Sequence, residues 1–151
     1  MNEINVKRMF LAGLGMLIVW VLVELLVEQV FAQFFFGQTA QEMWQEVIKV
    51  SGNSAQTFWI NNIIAFLNCT LMIWLYALLR PMYGVGTRAA LITSLFGIIM
   101  GTALFINMIN LGIFPLKIAL LEALFEAIEF PIAMIAGATV YEGEARWSQP
   151  T

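Results

Sequence analysis

The chain has 151 residues, of which 61% are hydrophobic and 11% are charged, and its formal net charge is -3. Soluble domains carry about 25% charged residues, so this composition excludes an ordinary soluble domain and indicates an integral membrane protein. The length suits a single membrane domain covering residues 1–151, and no basic run indicates a nucleic-acid partner.

Four long apolar segments follow one another along the chain, at about residues 9–36, 57–79, 88–111 and 114–141. Each exceeds the roughly 20 residues that a helix needs to span the hydrocarbon core of a bilayer. Backbone groups in lipid must hydrogen-bond within their own segment, so these segments are predicted to be helices. The predicted fold class is all-α, a four-helix transmembrane bundle.

A short amphipathic helix is predicted between helices one and two, at about residues 39–50. Thr39 and Glu42 have the spacing of a capping box, in which each residue satisfies a backbone amide of the other. Apolar residues then recur at helical spacing, at Ala40, Met43, Trp44, Val47 and Ile48. We expect this helix to rest on the outer membrane face and to cap the mouth of the bundle, in preference to acting as a gate or docking site.

The orientation is predicted from the basic residues near the helix ends. Lys7, Arg8, Arg80, Arg88 and Arg146 fall on one side of the predicted bundle, and Lys49 and Lys117 fall on the other. Positive charge accumulates on the cytoplasmic side of membrane proteins, so both termini are expected in the cytoplasm.

Five glutamates interrupt the apolar segments. Glu24 and Glu28 lie in the first segment, and Glu122, Glu126 and Glu129 lie in the fourth. An acidic residue near the centre of a spanning helix costs about 2.5 to 3.5 kcal/mol, and such residues usually mark a function. At 100° per residue each set occupies one stripe of its helix. Antiparallel packing would bring the two stripes to similar depths.

Asparagines are predicted at the same height as these carboxylates. Asn61 enters helix two from the outer side, and Asn107 and Asn110 leave helix three toward it. The outer half of the bundle would then be polar and the inner half almost apolar. This distribution predicts a cup that opens outward, since a pore would need polar groups along its whole length. Glu129 would lie below the cup, and the asparagines would complete its shell.

The carboxylates have no basic partner within the spans. They are therefore expected to be protonated at neutral pH, or else a bound cation holds them ionised. Oxygen ligands suit Ca²⁺, Mg²⁺ or Mn²⁺, and Glu24, Glu28, Glu122 and Glu126 are the predicted metal ligands; an organic amine is the other candidate. The chain has no histidine and one cysteine, so no haem or zinc site and no internal disulfide is expected.

Several short motifs resemble those of a family of uncharacterised bacterial four-helix integral membrane proteins. The motifs are Trp74-Leu75-Tyr76-Ala77, Arg80-Pro81, Tyr83-Gly84-Val85-Gly86, Gly112-Ile113-Phe114-Pro115 and Glu129-Phe130-Pro131. The resemblance covers most of helices two to four and implies a multi-pass protein of the bacterial inner membrane. It implies no activity.

Two functions are compatible with these patterns. The first is an outward-facing acidic site that binds, and in one version transports, a cation or cationic small molecule. The alternative is an accessory subunit of a larger membrane complex, docking through its small-residue faces and surface helix, with the glutamates receiving a basic side chain or polar cofactor of the partner. The small residues of Gly97-xxx-Gly101 and Ala133-xxx-Gly137 permit close helix approach, either inside the bundle or between the protomers of a homo-oligomer. The glutamates could also serve only as hydrogen-bonding glue between helices. An enzyme is least favoured, because no nucleophile or histidine accompanies the carboxylates.

Overall fold

The computed structural model describes residues 4–37, 39, 42, 45, 55–112 and 115–143. Within these ranges there are four helices and no strands: α1 (Val6–Phe36), α2 (Ala55–Tyr83), α3 (Thr87–Asn110) and α4 (Leu116–Glu142). The predicted all-α class and the four long helices are therefore confirmed. The stretches Val6–Phe34, Trp59–Tyr83 and Thr87–Asn110 are long and apolar enough to cross a membrane. A membrane span by α4 stays a prediction.

Local capping explains where the helices begin and end. The side chain of Asn5 accepts a hydrogen bond from the backbone N–H of Arg8 (3.0 Å) and so caps the start of α1. Gly37 ends α1 in the left-handed conformation (φ 61°), which glycine adopts without steric cost. The second helix runs four residues beyond its predicted end and includes Pro81. A proline there removes a single backbone hydrogen bond, which a helix tolerates in its last turn.

The predicted surface helix falls largely outside the described residues, which include only Thr39, Glu42 and Gln45 of that segment. The capping box itself is formed. The backbone N–H of Thr39 donates to Glu42 Oε2 (2.8 Å), and the backbone N–H of Glu42 donates to Thr39 Oγ1 (3.3 Å). Beyond these contacts, the amphipathic helix has no support in the structure.

The hydrogen bonds of the capping box affect the pKa of Glu42. The backbone N–H and then the hydroxyl of Thr39 donate to the Glu42 carboxylate and lower its pKa. A lowered folded-state pKa means that the stabilisation is complete above the unfolded-state pKa and is lost as pH falls through the folded-state value. Thr39→Ala removes the hydroxyl but keeps the amide, so we expect the pKa of Glu42 to rise part of the way toward its ordinary value. An NMR titration of Glu42, with Gln45→Ala as control, measures it; an unchanged pKa in Thr39→Ala would contradict the role of the hydroxyl.

The helices follow one another around the bundle in chain order. The packing of α4 is most extensive along α1 and α3, and α2 closes the ring by packing against the same two helices. We call the end where α1 and α3 begin and α2 and α4 end the terminal end, and the opposite end the loop end. The main apolar core lies toward the terminal end and includes Met16, Ile73, Tyr76, Phe130 and Met134.

A group of polar contacts, which we call the clasp, ties the helices together at the terminal end. Arg80 Nη1 donates to Glu142 Oε1 at 2.6 Å, and both side chains are buried. The Arg80 guanidinium also lies 5.1 Å from the centre of the Tyr141 ring. Arg8 Nη1 donates to the backbone carbonyl of Glu142 (3.1 Å) at the end of α4. The clasp consists of Arg8, Arg80, Tyr141 and Glu142 and joins α1, α2 and α4.

Of the two predicted roles of the small residues, the structure shows close packing inside the bundle. A Cβ atom built on Gly97 would overlap the ring of Phe130, and one built on Gly101 would overlap the carboxyl group of Glu126. Likewise, Gly137 lies against Met16 and Ile73. The two glycines of α3 therefore accommodate side chains of α4, spaced one turn apart on both helices.

Candidate functional site

The structure brings the two predicted glutamate stripes together, because α1 and α4 pack side by side. Glu28, Glu122, Glu126 and Glu129 are buried, with 8%, 7%, 8% and 3% of their surface exposed, and Glu24 is half-buried. Glu122 lies close enough to the other four carboxyl groups to interact electrostatically with each of them. The five glutamates thus form one layer across the α1–α4 interface.

Three of these carboxyl groups have an oxygen atom for which the described residues offer no hydrogen-bond partner. Glu122 Oε1, Glu126 Oε2 and Glu129 Oε1 are buried and lack a hydrogen-bond partner. Leaving a buried polar atom unsatisfied costs about 1 to 3 kcal/mol, and more for a charged group. The ion pair found within the described ranges joins Arg80 and Glu142 at the terminal end and does not serve the layer.

Trp20 belongs to the site, although the sequence analysis did not identify it. Its indole Nε1 donates to Glu129 Oε2 at 3.0 Å, and its ring packs against Phe130 with centroids 5.4 Å apart. Trp20 precedes Glu24 by four residues and so lies on the same face of α1. That spacing was a usable signal, because a buried indole N–H usually finds a hydrogen-bond partner.

Among the residues that the structure describes, two cavities adjoin the layer of glutamates. The α2–α3 cavity has a volume of about 310 Å³ and is lined by Trp20, Asn68, Leu71, Met72, Gly97, Met100, Gly101, Leu104, Glu126 and Phe130. The α1–α2 cavity has a volume of about 280 Å³ and is lined by Leu17, Trp20, Val21, Glu24, Asn61, Asn62 and Ala65. Trp20 lines both cavities, of which one contains Glu126 and the other contains Glu24.

The outward-opening cup stays a prediction, and the described part of the α1–α4 interface is apolar toward the loop end. Toward the loop end, the α1–α4 interface contains an apolar cluster of Ile118, Leu121 and Phe125, with Val27 and Phe31 packed against it. The rings of Phe31 and Phe125 meet edge to face with centroids 5.5 Å apart. Apolar residues alternate with glutamates on the buried face of α4, so they cover the carboxylates from the loop end. The cavities lie beside the glutamate layer instead.

The structure places the three predicted asparagines in different surroundings. Asn61 lines the α1–α2 cavity together with Glu24, in agreement with the predicted common height. Asn107 and Asn110 are exposed and line neither cavity. Helical phase explains this, because they lie about 120° and 180° around α3 from Gly101, which faces the site. The structure therefore does not bring these two residues to the carboxylates.

The predicted divalent-metal site stays a prediction. In the part of the chain that the structure describes, no three His, Cys, Asp or Glu residues gather closely enough to hold a metal ion. Glu24, Glu28, Glu122 and Glu126 share the layer but not one coordination sphere.

The fold and the site define a class of protein: a four-helix assembly with three candidate membrane spans and a buried layer of carboxyl groups. No known family model matches the chain, and no curated protein or solved structure matches it significantly. The resemblance to bacterial four-helix membrane proteins therefore stays a prediction.

Proposed function

We propose that this chain is an integral membrane protein that binds an organic cation at the buried carboxyl groups between α1 and α4. The observation that carries the proposal is that Glu122, Glu126 and Glu129 are each more than nine-tenths buried, and each has a carboxyl oxygen without a protein partner. A cation with N–H donors would satisfy both the charge and the hydrogen bonds.

A purely structural role for the glutamates fits these observations less well. If they were glue, their oxygens would accept hydrogen bonds from neighbouring helices. The bond from Trp20 to Glu129 is of that kind, but the described residues offer no such donor to one oxygen on each of three glutamates. Glu142 also has such an oxygen, but its other oxygen is paired with Arg80, whereas the described residues form no ion pair with these three glutamates. An organic cation is favoured over a metal ion because the described carboxyl groups do not converge on one point.

The proposed location is the bacterial inner membrane, with α4 as a fourth span and both termini in the cytoplasm. Four basic residues at the terminal end support this orientation: Lys7 and Arg8 at the start of α1, Arg80 at the end of α2 and Arg88 at the start of α3. Excess positive charge marks the cytoplasmic side. The loop end would then face outward.

The test is thermal melting of the purified protein in detergent with methylammonium, butylammonium and 2-phenylethylammonium chlorides, each compared with NaCl at equal ionic strength. A ligand at about a hundred times its Kd stabilises the folded state by about 2.7 kcal/mol, so at least one ammonium ion should raise the Tm. The rise should weaken at lower pH, because protons compete for the same oxygens. The double variant Glu122→Gln plus Glu126→Gln should lose it.

Glu42→Gln is the matched control, because it removes an exposed carboxylate outside the layer and should keep the response. The proposal fails if no ammonium ion raises the Tm, or if the double variant responds like the wild type. Without ligand, the double variant should melt no lower than the wild type, since it removes two buried acids with unpartnered oxygens. A markedly lower Tm would favour the structural role.

The role of accessory subunit remains the alternative, favoured by one observation. The α1–α2 cavity places Glu24 and the exposed Asn61 together at the side of the bundle, where a basic side chain of a partner could reach them. The glycines that this alternative used for docking are covered by α4 or by core side chains. Purification in mild detergent discriminates, because a monodisperse protein without a companion that still responds to ammonium ions contradicts a subunit role.

A further inference from the structure

We propose that the α2–α3 cavity binds an amphiphilic organic monocation, an ammonium group attached to an apolar alkyl or aromatic body, which enters from the side of the bundle between α2 and α3. The ammonium group would contact Glu126 and the apolar body would fill the rest of the cavity. This inference rests on the proposed function and specifies the ligand class and its route.

The apolar lining of the cavity favours a ligand with an apolar body. Most of the wall is made of Leu71, Met72, Met100, Leu104 and Phe130. The volume of about 310 Å³ is at the lower end of the range for small-molecule sites. Two methionines, which are flexible and polarisable, let such a wall adapt to different apolar shapes. A small hydrated ion would lose water on entering, and these apolar side chains would form no hydrogen bonds to replace it.

A single buried acid determines the charge of the ligand. Glu126 is 8% exposed, lines the cavity and has an oxygen, Oε2, without a hydrogen-bond partner. Its carboxyl group occupies the space that a side chain at Gly101 would fill, so the glycine allows it to lie against α3. An ammonium group offers three donors to this carboxyl group and to the side-chain amide of Asn68, which lines the cavity from α2.

The exposed residues of the cavity lining indicate how the ligand enters. Asn68 and Leu71 on α2, and Met100 and Leu104 on α3, are exposed residues, whereas Glu126 and Phe130 on the far wall are buried. The α2–α3 contact is also less extensive than the contacts that α4 makes with α1 and α3. The mouth therefore lies between α2 and α3, within the predicted spans, and a ligand that partitions into the bilayer reaches it laterally.

Trp20 closes the inner wall. Its ring packs on Phe130 and its indole N–H is already used by Glu129, so it presents an apolar face to the cavity, and Glu24 does not line this cavity. A ligand in the α2–α3 cavity would thus contact one carboxyl group, that of Glu126, which explains why a monocation is expected.

The experiment compares three probes in binding titrations of the full chain in nanodiscs. 2-Phenylethylamine has both the charge and the apolar body, 2-phenylethanol has the body without the charge, and methylammonium has the charge without the body. We expect the first to bind at least about tenfold more tightly than either of the others, and Glu126→Gln to reduce its affinity by at least about tenfold. Equal affinity for the alcohol, or full affinity in Glu126→Gln, would overturn the proposal.

Filling the mouth tests the route. Leu104→Trp on α3 and Leu71→Trp on α2 each place a large side chain in the cavity wall, and either should weaken binding of 2-phenylethylamine by about tenfold or more. The controls are Ile106→Trp and Leu67→Trp, exposed positions on the same helices that do not line the cavity. Because the two tryptophan variants lie on different helices, either one can decide the test if the other folds poorly.

The outcomes also separate this inference from the proposed function. If methylammonium binds as well as 2-phenylethylamine, and both mouth variants bind normally, the lateral cavity is not the site while a cation site at the glutamates still stands. If no ammonium probe binds, both are wrong. Loss of 2-phenylethylamine binding in the mouth variants, with normal binding in their controls, supports the inference.

Discussion

Replacing Arg80 by methionine is expected to lower the free energy of unfolding by about 3 to 5 kcal/mol, because it leaves the buried Glu142 carboxylate without its partner. The Arg80–Glu142 pair is 2.6 Å long, and the two side chains are 9% and 1% exposed. The same substitution removes the guanidinium from the face of Tyr141. Unfolding in mixed micelles, followed by circular dichroism, measures the loss.

The control and a double variant make this prediction specific. Arg88→Met removes an exposed basic residue from the start of α3 at the same end of the bundle, and should change stability little. Combining Arg80→Met with Glu142→Met removes both charges, so the double variant should be more stable than Arg80→Met alone. A double variant as unstable as the sum of the two single variants would show that the pair has no special role.

The second large effect is expected at Gly97. Its hydrogen atom faces the ring of Phe130, and any side chain at this position overlaps that ring. The ring is in turn held by Trp20, which bonds Glu129, so it cannot move without disturbing the site. Gly97→Leu should therefore lower the free energy of unfolding by about 1 to 3 kcal/mol, despite the higher helix propensity of leucine.

The comparison for this variant is Ala103→Leu, an equally large addition at an exposed position of the same helix. It should leave stability almost unchanged. Adding Phe130→Ala to Gly97→Leu opens space for the new side chain and should recover part of the loss. If Gly97→Leu were as stable as Ala103→Leu, that result would contradict a close approach of α3 and α4 at Gly97.

These two regions have different consequences for the site. The clasp lies at the terminal end and fixes the end of α4, whereas the contact between Gly97 and Phe130 adjoins the cavity of Glu126. We therefore expect variants of the clasp to change stability with little change in the affinity for ammonium ions in the folded fraction. Variants at Gly97 should change both.

Sequence patterns alone predict the four helices to within a few residues. Their ends are marked by the loss of apolar character and by residues such as Gly37, Gly84 and Gly112, which adopt positive φ angles. These are local properties, since a spanning helix satisfies its own backbone and its length is set by the hydrocarbon thickness. The two glutamate stripes follow equally directly from helical phase, which depends only on spacing within one helix.

The partners of these residues depend on contacts between distant parts of the chain, and only the tertiary structure decides them. Trp20 and Glu129 are 109 residues apart, and Arg80 and Glu142 are 62 residues apart. Relative rotation of the helices sets which side chains meet, and hydropathy carries little information about rotation when every face is apolar. For the same reason Asn107 and Asn110, which were expected in the wall of the cup, line neither of the two cavities formed by the described residues. The five glutamates and their stripes were determined by the sequence, whereas the placement of Glu24 and Glu126 in different cavities was determined by packing.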